Sequence, residues 1–369
     1  MEDQCWQLTD DIGPEKILHV YNKEVGLKAI VVVDNVSAGP SIGGVRMVAD
    51  ASLQECSRLA RAMTLKNAAA ALPHGGGKSV IFADPKSDAE TKERIIRAFA
   101  IAIRDLVDYI PGPDMGTNEE CMAWIKDEIG RSVGLPAEVG GIPLDEIGAT
   151  GYGLVVSIKA AQNFSDIDLR GARVAVQGFG SVGQHAARFL AEEGSLLVAA
   201  ADSRGTLVNP DGLNVAQLIK HAHQTGSVCG FADGLTQHRD SIIDVECDIW
   251  IPAARPDVVN MENVGRLDTK LIAEGANIPI THEAEQALAQ RGVTVIPDFI
   301  ANAGGVICAA VEYHNGTKTA AFAAVEEKIS RNTTEMFELA ASRDINPRMA
   351  ANDLAQQRLQ RAMSFKRWA

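Results

Sequence analysis

A glycine-rich turn between an apolar strand and an amphipathic helix constrains this chain more than any other feature. The apolar segment from Arg173 to Gln177 runs directly into three glycines with Gly-x-Gly-x-x-Gly spacing. Gly178 permits a tight turn, Gly180 lets a pyrophosphate approach the backbone, and Gly183 lets the helix pack closely on the strand. The pattern therefore predicts a dinucleotide-binding site.

A carboxylate stands where such a site needs one. A second apolar run, Leu196 to Ala201, ends at Asp202, about 20 residues beyond the last glycine. An acidic side chain at this position is expected to bind the adenosine ribose. Ser181 and Val182 open the helix, so its N-terminus would face the phosphates. The alternative is a ligand-free glycine turn in which Asp202 is an ordinary residue at a strand end.

Length and charge restrict the class of protein. At 369 residues the chain exceeds the usual size of one compact core, which favours two domains. The formal net charge of −13 argues against a nucleic-acid or anionic-membrane partner and favours a small molecule. The N-terminal residues form no apolar signal segment, and no apolar run is long enough to span a bilayer. We therefore expect a cytoplasmic protein.

The cysteines are scattered singly. No Cys-x-x-Cys pair and no histidine cluster at metal-ligand spacing occurs, which predicts reduced thiols and no metal site. Cys308 stands among apolar residues, which is typical of a core cysteine rather than a nucleophile. The six cysteines are Cys5, Cys56, Cys121, Cys229, Cys247 and Cys308.

The order of strand-like and helical patterns predicts a two-domain α/β protein. Residues 1–144 mix apolar strands with amphipathic helices and form the first domain. In residues 145–317 strands alternate with helices, as in a Rossmann domain with a doubly wound parallel sheet. Residues 318–369 are predicted to be helical and to return to the first domain. Their apolar stripe consists of Ala321, Val325, Ile329 and Met336.

Lys66 lies within a predicted helix over residues 51–71. It shares one stripe of that helix with the apolar residues Leu59, Met63 and Ala70. An inward-facing lysine needs an anion, because burying an unpaired ammonium is costly. Lys66 therefore either meets a carboxylate of the protein or of a substrate, or is a snorkelling lysine at a helix end.

A second lysine, Lys78, follows three glycines at the start of an apolar strand. The missing side chains of residues 75–77 are expected to leave room for a ligand. A lysine in such a desolvated place, beside another cation, should have a depressed pKa and act as an acid or base. A phosphate-binding P-loop fails on spacing, because Leu72 stands where its first glycine is needed.

Asp114 lies in the loop 111–116, just before a helix predicted from about residue 118 to 130. Thr117 and Glu120 have the Thr-x-x-Glu spacing of a capping box for that helix. The loop presents the carboxylate of Asp114 just before the helix, although from the spacing alone an ordinary turn aspartate is the better interpretation.

Taken together, these segments resemble the glutamate/leucine/phenylalanine/valine dehydrogenase family over nearly the whole chain. The resemblance implies oxidative deamination of an L-amino acid to its 2-oxo acid and ammonia, and the reverse reaction, with hydride passing to a nicotinamide cofactor. It also implies that the first domain binds substrate and assembles a homo-oligomer. The segments that carry it are 39–46, 63–68, 75–78, 113–117, 149–153, 178–183, 273–277 and 300–306.

The resemblance implies roles for individual residues. Lys66 would bind the substrate α-carboxylate, Lys78 would polarise the carbonyl oxygen and activate water, and Asp114 would shuttle protons at the nitrogen. Thr150 and Asn277 would lie near the nicotinamide and the substrate. The other residues implied at the site are Gly43 and Met63 for the substrate, and Gly178, Gly180, Ser181, Val182, Gly183, Asp202 and Ala253 for the cofactor.

Two positions indicate the substrate class. Glutamate-specific members resemble one another in a lysine before the Gly-Gly of the first motif and a serine after the Asn-Ala-Gly-Gly motif. This chain has Ile42 and Ala309 there, so a distal carboxylate would be buried without a partner. A pocket of Ile42, Val306 and Ala309, with space at Gly112, predicts leucine- or valine-like substrates first and phenylalanine-like ones second.

Alternatives stay open for substrate, cofactor and activity. Segments 111–114 and 274–277 look more like the glutamate branch, which keeps glutamate as an alternative substrate. Asp202 would bind a free ribose 2′-hydroxyl and favour NAD, whereas Arg204 could accept a 2′-phosphate and permit NADP. A non-catalytic cofactor-binding regulator is a further alternative, although it would have little reason to keep Lys66, Lys78 and Asp114 together.

Overall fold

The computed structural model describes residues 6–366, which divide into two compact units. The first unit comprises the described residues of Met1–Pro143, Val306–Ala321 and Asn352–Ala369. The second comprises Leu144–Gly305 and Phe322–Ala351. The terminal segment 318–369, predicted to return to the first domain as a whole, is therefore shared between the two units.

The first unit is built on a five-stranded mixed sheet. Its strands are β1 Lys16–Asn22, β2 Leu27–Asn35, β3 Ser41–Val48, β4 Gly75–Phe82 and β5 Tyr109–Pro113. Its main helices are α1 Leu53–Ala69, α2 Ala89–Ala102 and α3 Glu119–Ile129. The strand order is β1-β2-β4-β3-β5. Strand β2 runs antiparallel to both of its neighbours, β1 and β4, and β3 runs parallel to both of its neighbours, β4 and β5. Strand β3 thus lies between the strand that carries Lys78 and the strand that precedes Asp114.

Helix α1 buries a face of small residues against this sheet. The predicted stripe through Leu59, Met63 and Lys66 flanks that face and is only half-buried. Small residues are needed because a Cβ on Gly76 of β4 would lie 2.0 Å from the Thr64 backbone nitrogen, so helix and strand are in backbone contact. The buried residues of α1 are Cys56, Ala60, Thr64, Asn67, Ala68 and Ala69.

The glycines before Lys78 belong to β4 itself and pack against protein atoms. A Cβ on Gly75 would lie 1.7 Å from the carbonyl oxygen of Asn35, and one on Gly77 would lie 2.9 Å from Ser41 Oγ. The expectation that these missing side chains leave room for a ligand was wrong. Neighbouring strands and α1 occupy that space, as is common for glycine inside a strand.

The second unit contains a seven-stranded sheet in the order β12-β11-β10-β6-β7-β8-β9. Its strands are β6 Arg173–Gln177, β7 Leu196–Ala201, β8 Thr206–Val208, β9 Leu235–Gln237, β10 Ile249–Pro252, β11 Leu271–Ala273 and β12 Thr294–Ile296. Its helices include α4 Leu144–Ile147, α5 Ala149–Ala161, α6 Ser181–Glu192, α7 Val215–Thr225, α8 His282–Gln290 and α9 Asp298–Ala301. Strands β12 to β7 are parallel, and β8 and β9 extend the edge antiparallel. This confirms the predicted Rossmann-like α/β architecture.

Three further helices follow within the described residues: α10 Gly304–Tyr313, α11 Lys318–Arg343 and α12 Pro347–Met363. The predicted apolar stripe of α11 is buried, which confirms it. A Cβ on Gly153 of α5 would meet Ile329 Cδ1 at 2.7 Å, so the middle of α11 packs within the second unit. Short 3-10 helices lie at Trp6–Leu8, Ala137–Val139, Gln162–Phe164, Arg239–Asp244 and Val264–Arg266. Within residues 6–366 no helix is both long and apolar enough to cross a membrane.

A buried charge cluster in the second unit holds the segment that follows β11. Arg348 of α12 forms ion pairs with Glu274, Glu285 and Asp298. Glu274 accepts the backbone N–H of Asp298 at 2.8 Å, and Asp298 accepts that of Ile278 at 3.0 Å. The loop between Glu274 and Ile278 is thus fixed at both ends.

This cluster has one guanidinium for three carboxyl groups. Burial raises the pKa of Glu274 to about 8; Arg348 opposes the rise, and Asp298 and Glu285 add to it. A carboxyl whose pKa is higher in the folded than in the unfolded protein binds its proton more tightly when folded. Its contribution to stability is therefore greatest at low pH and declines as the pH rises from its unfolded pKa towards its folded one.

We predict that Glu274→Gln weakens this pH dependence. The melting temperature of the parent should fall as the pH rises from about 5 to about 9, and that of the variant should fall less, by a few degrees. The neutral amide keeps an acceptor for Arg348 while removing the excess charge. Differential scanning calorimetry across this range measures the effect.

Glu283→Gln is the matched control, because Glu283 lies exposed on α8, the helix that carries Glu285. Its melting profile should follow that of the parent. A Glu274→Gln profile that also follows the parent at every pH would show that Glu274 does not hold a proton near neutrality.

Candidate active site

Two strands of the first unit that flank β3 bring Lys78 and Asp114 together. Lys78 lies in β4, Asp114 directly follows β5, and both side chains reach Gly44 of the intervening β3. Lys78 Nζ lies 2.8 Å from Asp114 Oδ2, and their side chains are 8% and 21% exposed. The two residues expected to carry the chemistry therefore form a largely buried ion pair.

The absence of a side chain at Gly44 lets this pair form. A Cβ there would lie 2.7 Å from Asp114 Cβ and 3.1 Å from Lys78 Nζ. The neighbouring Gly43, expected to contact substrate, is in backbone contact with β4, because its Cβ would lie 1.8 Å from the carbonyl oxygen of Gly77. The Gly-Gly pair of β3 thus keeps two strands and two charged side chains within reach of one another.

Arg46 is a charged member of this site that sequence reasoning missed. Its Nε lies 2.9 Å from the same Oδ2 of Asp114, and its Nη1 lies 2.9 Å from Glu55 Oε1. The sequence did contain a signal for Arg46: it stands two residues after Gly44, and alternate residues of a strand share a face. The carboxylate of Asp114 therefore contacts two cations through one oxygen.

These cations control the ionisation of Asp114. Burial alone would raise the pKa of its carboxyl, but the Lys78 ammonium and then the Arg46 guanidinium outweigh burial and hold the pKa below its usual range. Lys78 lies beside another cation, as expected, because it shares Asp114 Oδ2 with Arg46, and the carboxylate between them is its ion-pair partner. Asp114 is therefore ionised at neutral pH, in the form that can accept a proton.

Thr117 fixes the loop that carries Asp114. Its hydroxyl accepts the Asp114 backbone N–H at 3.0 Å and lies 2.8 Å from the carbonyl oxygen of Val45, to which it donates. The N-cap of α3 is instead Asn118, whose side chain accepts the backbone N–H of Cys121. The capping box predicted at Thr117 was therefore wrong, because its hydroxyl is used to hold the loop.

Three of the other expected substrate residues lie on α1 and β3. Lys66 is in the last turn of α1 and Met63 is one turn earlier, and both are half-buried. Ile42 directly precedes the Gly-Gly pair in β3 and is buried. The sheet and α1 thus supply one lysine and two apolar side chains to the same unit as the ion pair.

The remaining expected pocket residues lie on β5 and α10. Gly112 pairs with Gly44, and a Cβ on Gly112 would meet Val133 Cγ2 at 3.2 Å. The space expected at Gly112 is therefore bounded by Val133. On α10, Val306 is half-buried and Ala309 is buried.

In the second unit the glycine turn borders a cavity of about 600 Å³. Gly178, Gly180, Asp202 and Ala253 line it, as expected of cofactor-binding residues. Gly178 has a φ of 97°, and a Cβ there would lie 2.7 Å from the Ala254 nitrogen, so only glycine fits. A Cβ on Gly180 would have no neighbour within 4 Å, so the approach to this backbone is open.

Helix α6 begins at this cavity. No side chain caps its N-terminus, so the N–H groups at Ser181 and Val182 are not used by a cap. A Cβ on Gly183 would lie 2.0 Å from the Gly178 carbonyl oxygen, so the helix starts in contact with the turn. Ser181 Oγ donates to the carbonyl oxygen of Asp145 in α4 and so ties the start of α6 to that helix. An uncapped helix start beside an open glycine fits a pyrophosphate.

Asp202 is held rigidly in the cavity wall. Its Oδ1 accepts the backbone N–H groups of Arg204 and Gly205, and its Oδ2 accepts from Ser227 Oγ and the Val228 N–H. Burial would raise the pKa of this carboxyl, but these hydrogen bonds, that of Ser227 foremost, keep it below its usual range. The carboxylate is therefore charged and fixed, and protein donors already use much of its acceptor capacity.

The arginines that line this cavity do not include Arg204, the one expected from the sequence. Arg204 points its guanidinium to the carbonyl oxygen of Thr225, 3.3 Å away, and is not part of the cavity wall. Arg239 and Arg255 line the cavity, together with Asp240. The Oδ1 of Asp240 lies 3.4 Å from Arg239 Nε. Sequence reasoning missed them because they follow β9 and β10, far along the chain from the glycine turn, and no motif marks them.

Thr150 and Asn277 lie in the second unit but outside the wall of that cavity. Asn302 Nδ2 donates to Asn277 Oδ1 at 3.2 Å and to the carbonyl oxygen of Gly275 at 3.3 Å. Thr150 stands in the first turn of α5, where a Cβ on Gly305 would lie 3.2 Å from its Oγ1. Asn302, which sequence reasoning missed, therefore supports the loop that presents Asn277.

Metal and thiol chemistry find no support in the described part of the chain. Residues 6–366 contain no group of three or more His, Cys, Asp or Glu side chains placed to hold a metal ion. Cys308 is buried, and burial raises the pKa of its thiol to about 12. Cys5 lies outside the described residues.

Two family models match the chain. Residues 14–131 match "Glu/Leu/Phe/Val dehydrogenase, dimerisation domain". Residues 140–367 match "Glutamate/Leucine/Phenylalanine/Valine dehydrogenase". Together these matches span both units.

Individual relatives agree with the family models. A glutamate dehydrogenase of Aeropyrum pernix is 37% identical over 358 residues, which cover 90% of this chain and 85% of the relative. A glutamate dehydrogenase of Thermotoga maritima is 40% identical over 296 residues, which cover 76% of this chain and 71% of the relative.

Solved structures extend the agreement to the fold. The Leu-bound hetero-hexameric glutamate dehydrogenase of Thermus thermophilus has a TM-score of 0.83 at 29% identity and covers 95% of this chain and 89% of its own. The L-tryptophan dehydrogenase of Nostoc punctiforme has a TM-score of 0.75 at 26% identity, and the match covers 96% of this chain and 98% of the Nostoc punctiforme chain. Because sequence and fold agree over both units, the chain belongs to the glutamate/leucine/phenylalanine/valine dehydrogenase family and is an amino acid dehydrogenase, an oxidoreductase that uses a nicotinamide cofactor.

Proposed function

We propose that this enzyme oxidatively deaminates an apolar L-amino acid to its 2-oxo acid and ammonia, and catalyses the reverse reductive amination, with NAD as cofactor. The observation that carries the proposal is the largely buried Lys78–Asp114 ion pair over Gly44, with the buried Ile42 on the same strand as that glycine. A base, a lysine and an apolar wall are the groups that this reaction needs.

The ion pair handles the protons of the reaction. The substrate ammonium must lose a proton before its α-hydrogen can leave as hydride, which the nicotinamide cofactor accepts when bound. Asp114 takes that proton through Oδ1, because its Oδ2 is occupied by Lys78 and Arg46. Lys78 then assists the water that attacks the iminium carbon, and in the reverse reaction it polarises the carbonyl oxygen of the 2-oxo acid, while Lys66 fixes the α-carboxylate. The 2.8 Å contact gives Lys78 and Asp114 a route for exchanging protons.

The apolar substrate class rests on the residues that would meet the side chain. Ile42 and Ala309 are 4% and 8% exposed and offer no cation or hydroxyl to a distal carboxylate. The cation of β3, Arg46, is already paired with Asp114 and Glu55. A distal carboxylate would therefore be desolvated without compensation, which favours leucine- or valine-like substrates first and phenylalanine-like ones second.

Glutamate is the second candidate, and the relatives favour it. The Aeropyrum pernix, Thermotoga maritima and Thermus thermophilus proteins are all glutamate dehydrogenases, whereas the Nostoc punctiforme protein acts on L-tryptophan. We rank the apolar substrate higher because the side chains that face a substrate determine its selectivity more directly than overall similarity does.

The cofactor proposal rests on the wall of the cavity in the second unit. The fixed negative charge of Asp202 would repel a ribose 2′-phosphate and so favours NAD. Its charge carries this preference more than a ribose hydrogen bond does, because protein donors already use its oxygens. If NADP were accepted, Arg239 and Arg255 would be the groups to bind the phosphate.

We also propose a homo-oligomer assembled through the first unit. The family model that matches residues 14–131 is a dimerisation domain, and the Thermus thermophilus relative is hexameric. Light scattering of the purified protein measures the number of subunits.

The substrate prediction is tested with a panel of L-amino acids and NAD, followed by the absorbance of the reduced cofactor. Leucine, valine or phenylalanine should be oxidised, and kcat/KM for glutamate should be lower by at least about 100-fold, because its distal carboxylate lacks a partner. Lys78→Ala should abolish each activity and so excludes contaminating enzymes.

Efficient glutamate oxidation would contradict the argument from Ile42 and Ala309 while leaving the reaction class intact. Absence of turnover with every amino acid would contradict the proposed function itself.

The close packing at Gly44 yields a second prediction. Gly44→Ala should lower kcat by roughly 100-fold, because the added methyl group would push Asp114 and Lys78 apart. Fluorescence titration should show unchanged NAD affinity, since the cofactor cavity lies in the other unit. Gly265→Ala is the control: a Cβ there has no neighbour within 4 Å. A fully active Gly44→Ala enzyme would refute the importance of this contact.

The cofactor prediction concerns the ratio of kcat/KM for NAD to that for NADP. Asp202→Asn should lower this ratio by at least about tenfold, because the repulsion of a 2′-phosphate is lost. Asp240→Asn, at another carboxylate of the same cavity wall, is the matched control. An equal effect of both variants would assign the preference for NAD to the overall negative electrostatic field of the cavity rather than to Asp202. A parent enzyme that prefers NADP would contradict the proposal.

A further inference from the structure

We propose that Arg46 is a positioning residue of this active site. It turns the carboxylate of Asp114 so that Oδ2 faces the cations of the protein and Oδ1 is left for the substrate amino group. This inference rests on the proposed function, in which Asp114 is the base that accepts the substrate proton.

The orientation follows from where the two cations bind. Lys78 Nζ and Arg46 Nε lie 2.8 Å and 2.9 Å from the same oxygen of Asp114. Both contacts use Oδ2, and neither cation binds the other oxygen, Oδ1. Charge-assisted bonds from two directions prevent the carboxylate from rotating unless both are broken. Oδ1 is therefore the acceptor that remains for a ligand.

Arg46 differs from Lys78 in that it can stay in place throughout the reaction. Lys78 has to turn towards the carbonyl oxygen and the attacking water, and its bond to Asp114 weakens when it does. The guanidinium of an arginine only donates hydrogen bonds and has no lone pair to accept a proton, so Arg46 does not compete with Asp114 for the substrate proton. During the steps that engage Lys78, Arg46 is the group that still holds Asp114.

A second carboxylate holds Arg46 itself. Its Nη1 lies 2.9 Å from Glu55 Oε1. Glu55 stands in the first turn of α1, where its backbone N–H donates to the side chain of the N-cap residue Ser52. The arginine thus bridges the start of α1 and the loop after β5, and only 16% of its side chain is exposed.

The groups around Asp114 make the effect of Arg46 measurable. Lys78 on β4 and Arg46 on β3 are the cations that lower its pKa. The nearby Tyr109 on β5 and Cys56 on α1 are neutral at pH 7, because burial raises the pKa of both groups. Without Arg46 the pKa of Asp114 should rise, so the ionised base should be lost at a higher pH than in the parent.

The test compares the pH dependence of kcat/KM for the parent, Arg46→Met and Arg46→Lys. In Arg46→Met the acid limb should move up by about one pH unit. Its kcat at the optimum should fall by at least about tenfold. Arg46→Lys should restore the position of the limb but not the full kcat, because one ammonium cannot bridge two carboxylates as the guanidinium does. Arg58→Met, at an exposed arginine of α1, is the matched control and should behave as the parent.

A readout that needs no turnover separates this inference from the proposed function. The titration of Asp114 can be followed by NMR of protein labelled with carboxyl-¹³C aspartate, with the resonance assigned from Asp114→Asn. Its pKa should be higher in Arg46→Met than in the parent, whichever amino acid the enzyme uses. An unchanged pKa and an unmoved acid limb in folded Arg46→Met would overturn the inference, even if activity fell, because Arg46 would then be merely structural. Parent-like activity in Arg46→Met would overturn it as well.

Discussion

The contact across Gly44 is the constraint on which the active site depends. Strand β3 lies between β4 and β5, and only a residue without a side chain lets Lys78 and Asp114 meet over it. The neighbouring glycines of β3 and β4 bring the strands and α1 into backbone contact, which buries the ion pair and strengthens its electrostatics. A lysine and a carboxylate at the same positions on a more open sheet would be solvated and lose their effect on one another.

The second unit uses glycine differently. At Gly178 and Gly183 the missing side chains bring the turn, the strand and the start of α6 together, as in the first unit. At Gly180 the missing side chain leaves open space beside an uncapped helix terminus. One motif thus combines packing glycines with a glycine that exposes backbone N–H groups, and this combination fits a pyrophosphate.

Local signals in the sequence predicted much of this, and they failed where partners come from distant segments. The alternation of strands and helices, the glycine turn, Lys78 and Asp114 are each encoded within a few residues. Arg46 and Asn302 became visible only through strand register and loop packing. The glycines at 75–77 were misinterpreted because a missing side chain indicates close approach without identifying what approaches. Thr117 was misassigned for a related reason, since its hydroxyl had a tertiary partner that outcompeted the local cap.

Two arginine clusters of the fold show how burial and charge balance select a protonation state. Arg46 and Lys78 face Asp114 and Glu55, so two cations meet two carboxylates and Asp114 can stay ionised. Arg348 faces three buried carboxyl groups, and burial, together with the negative charges of the other two, raises the pKa of Glu274. A base that must accept a proton from a substrate has to be empty before the substrate arrives, which requires the balanced cluster. The unbalanced cluster suits a structural role, because a carboxyl that keeps its proton can hold a loop without taking part in proton transfer.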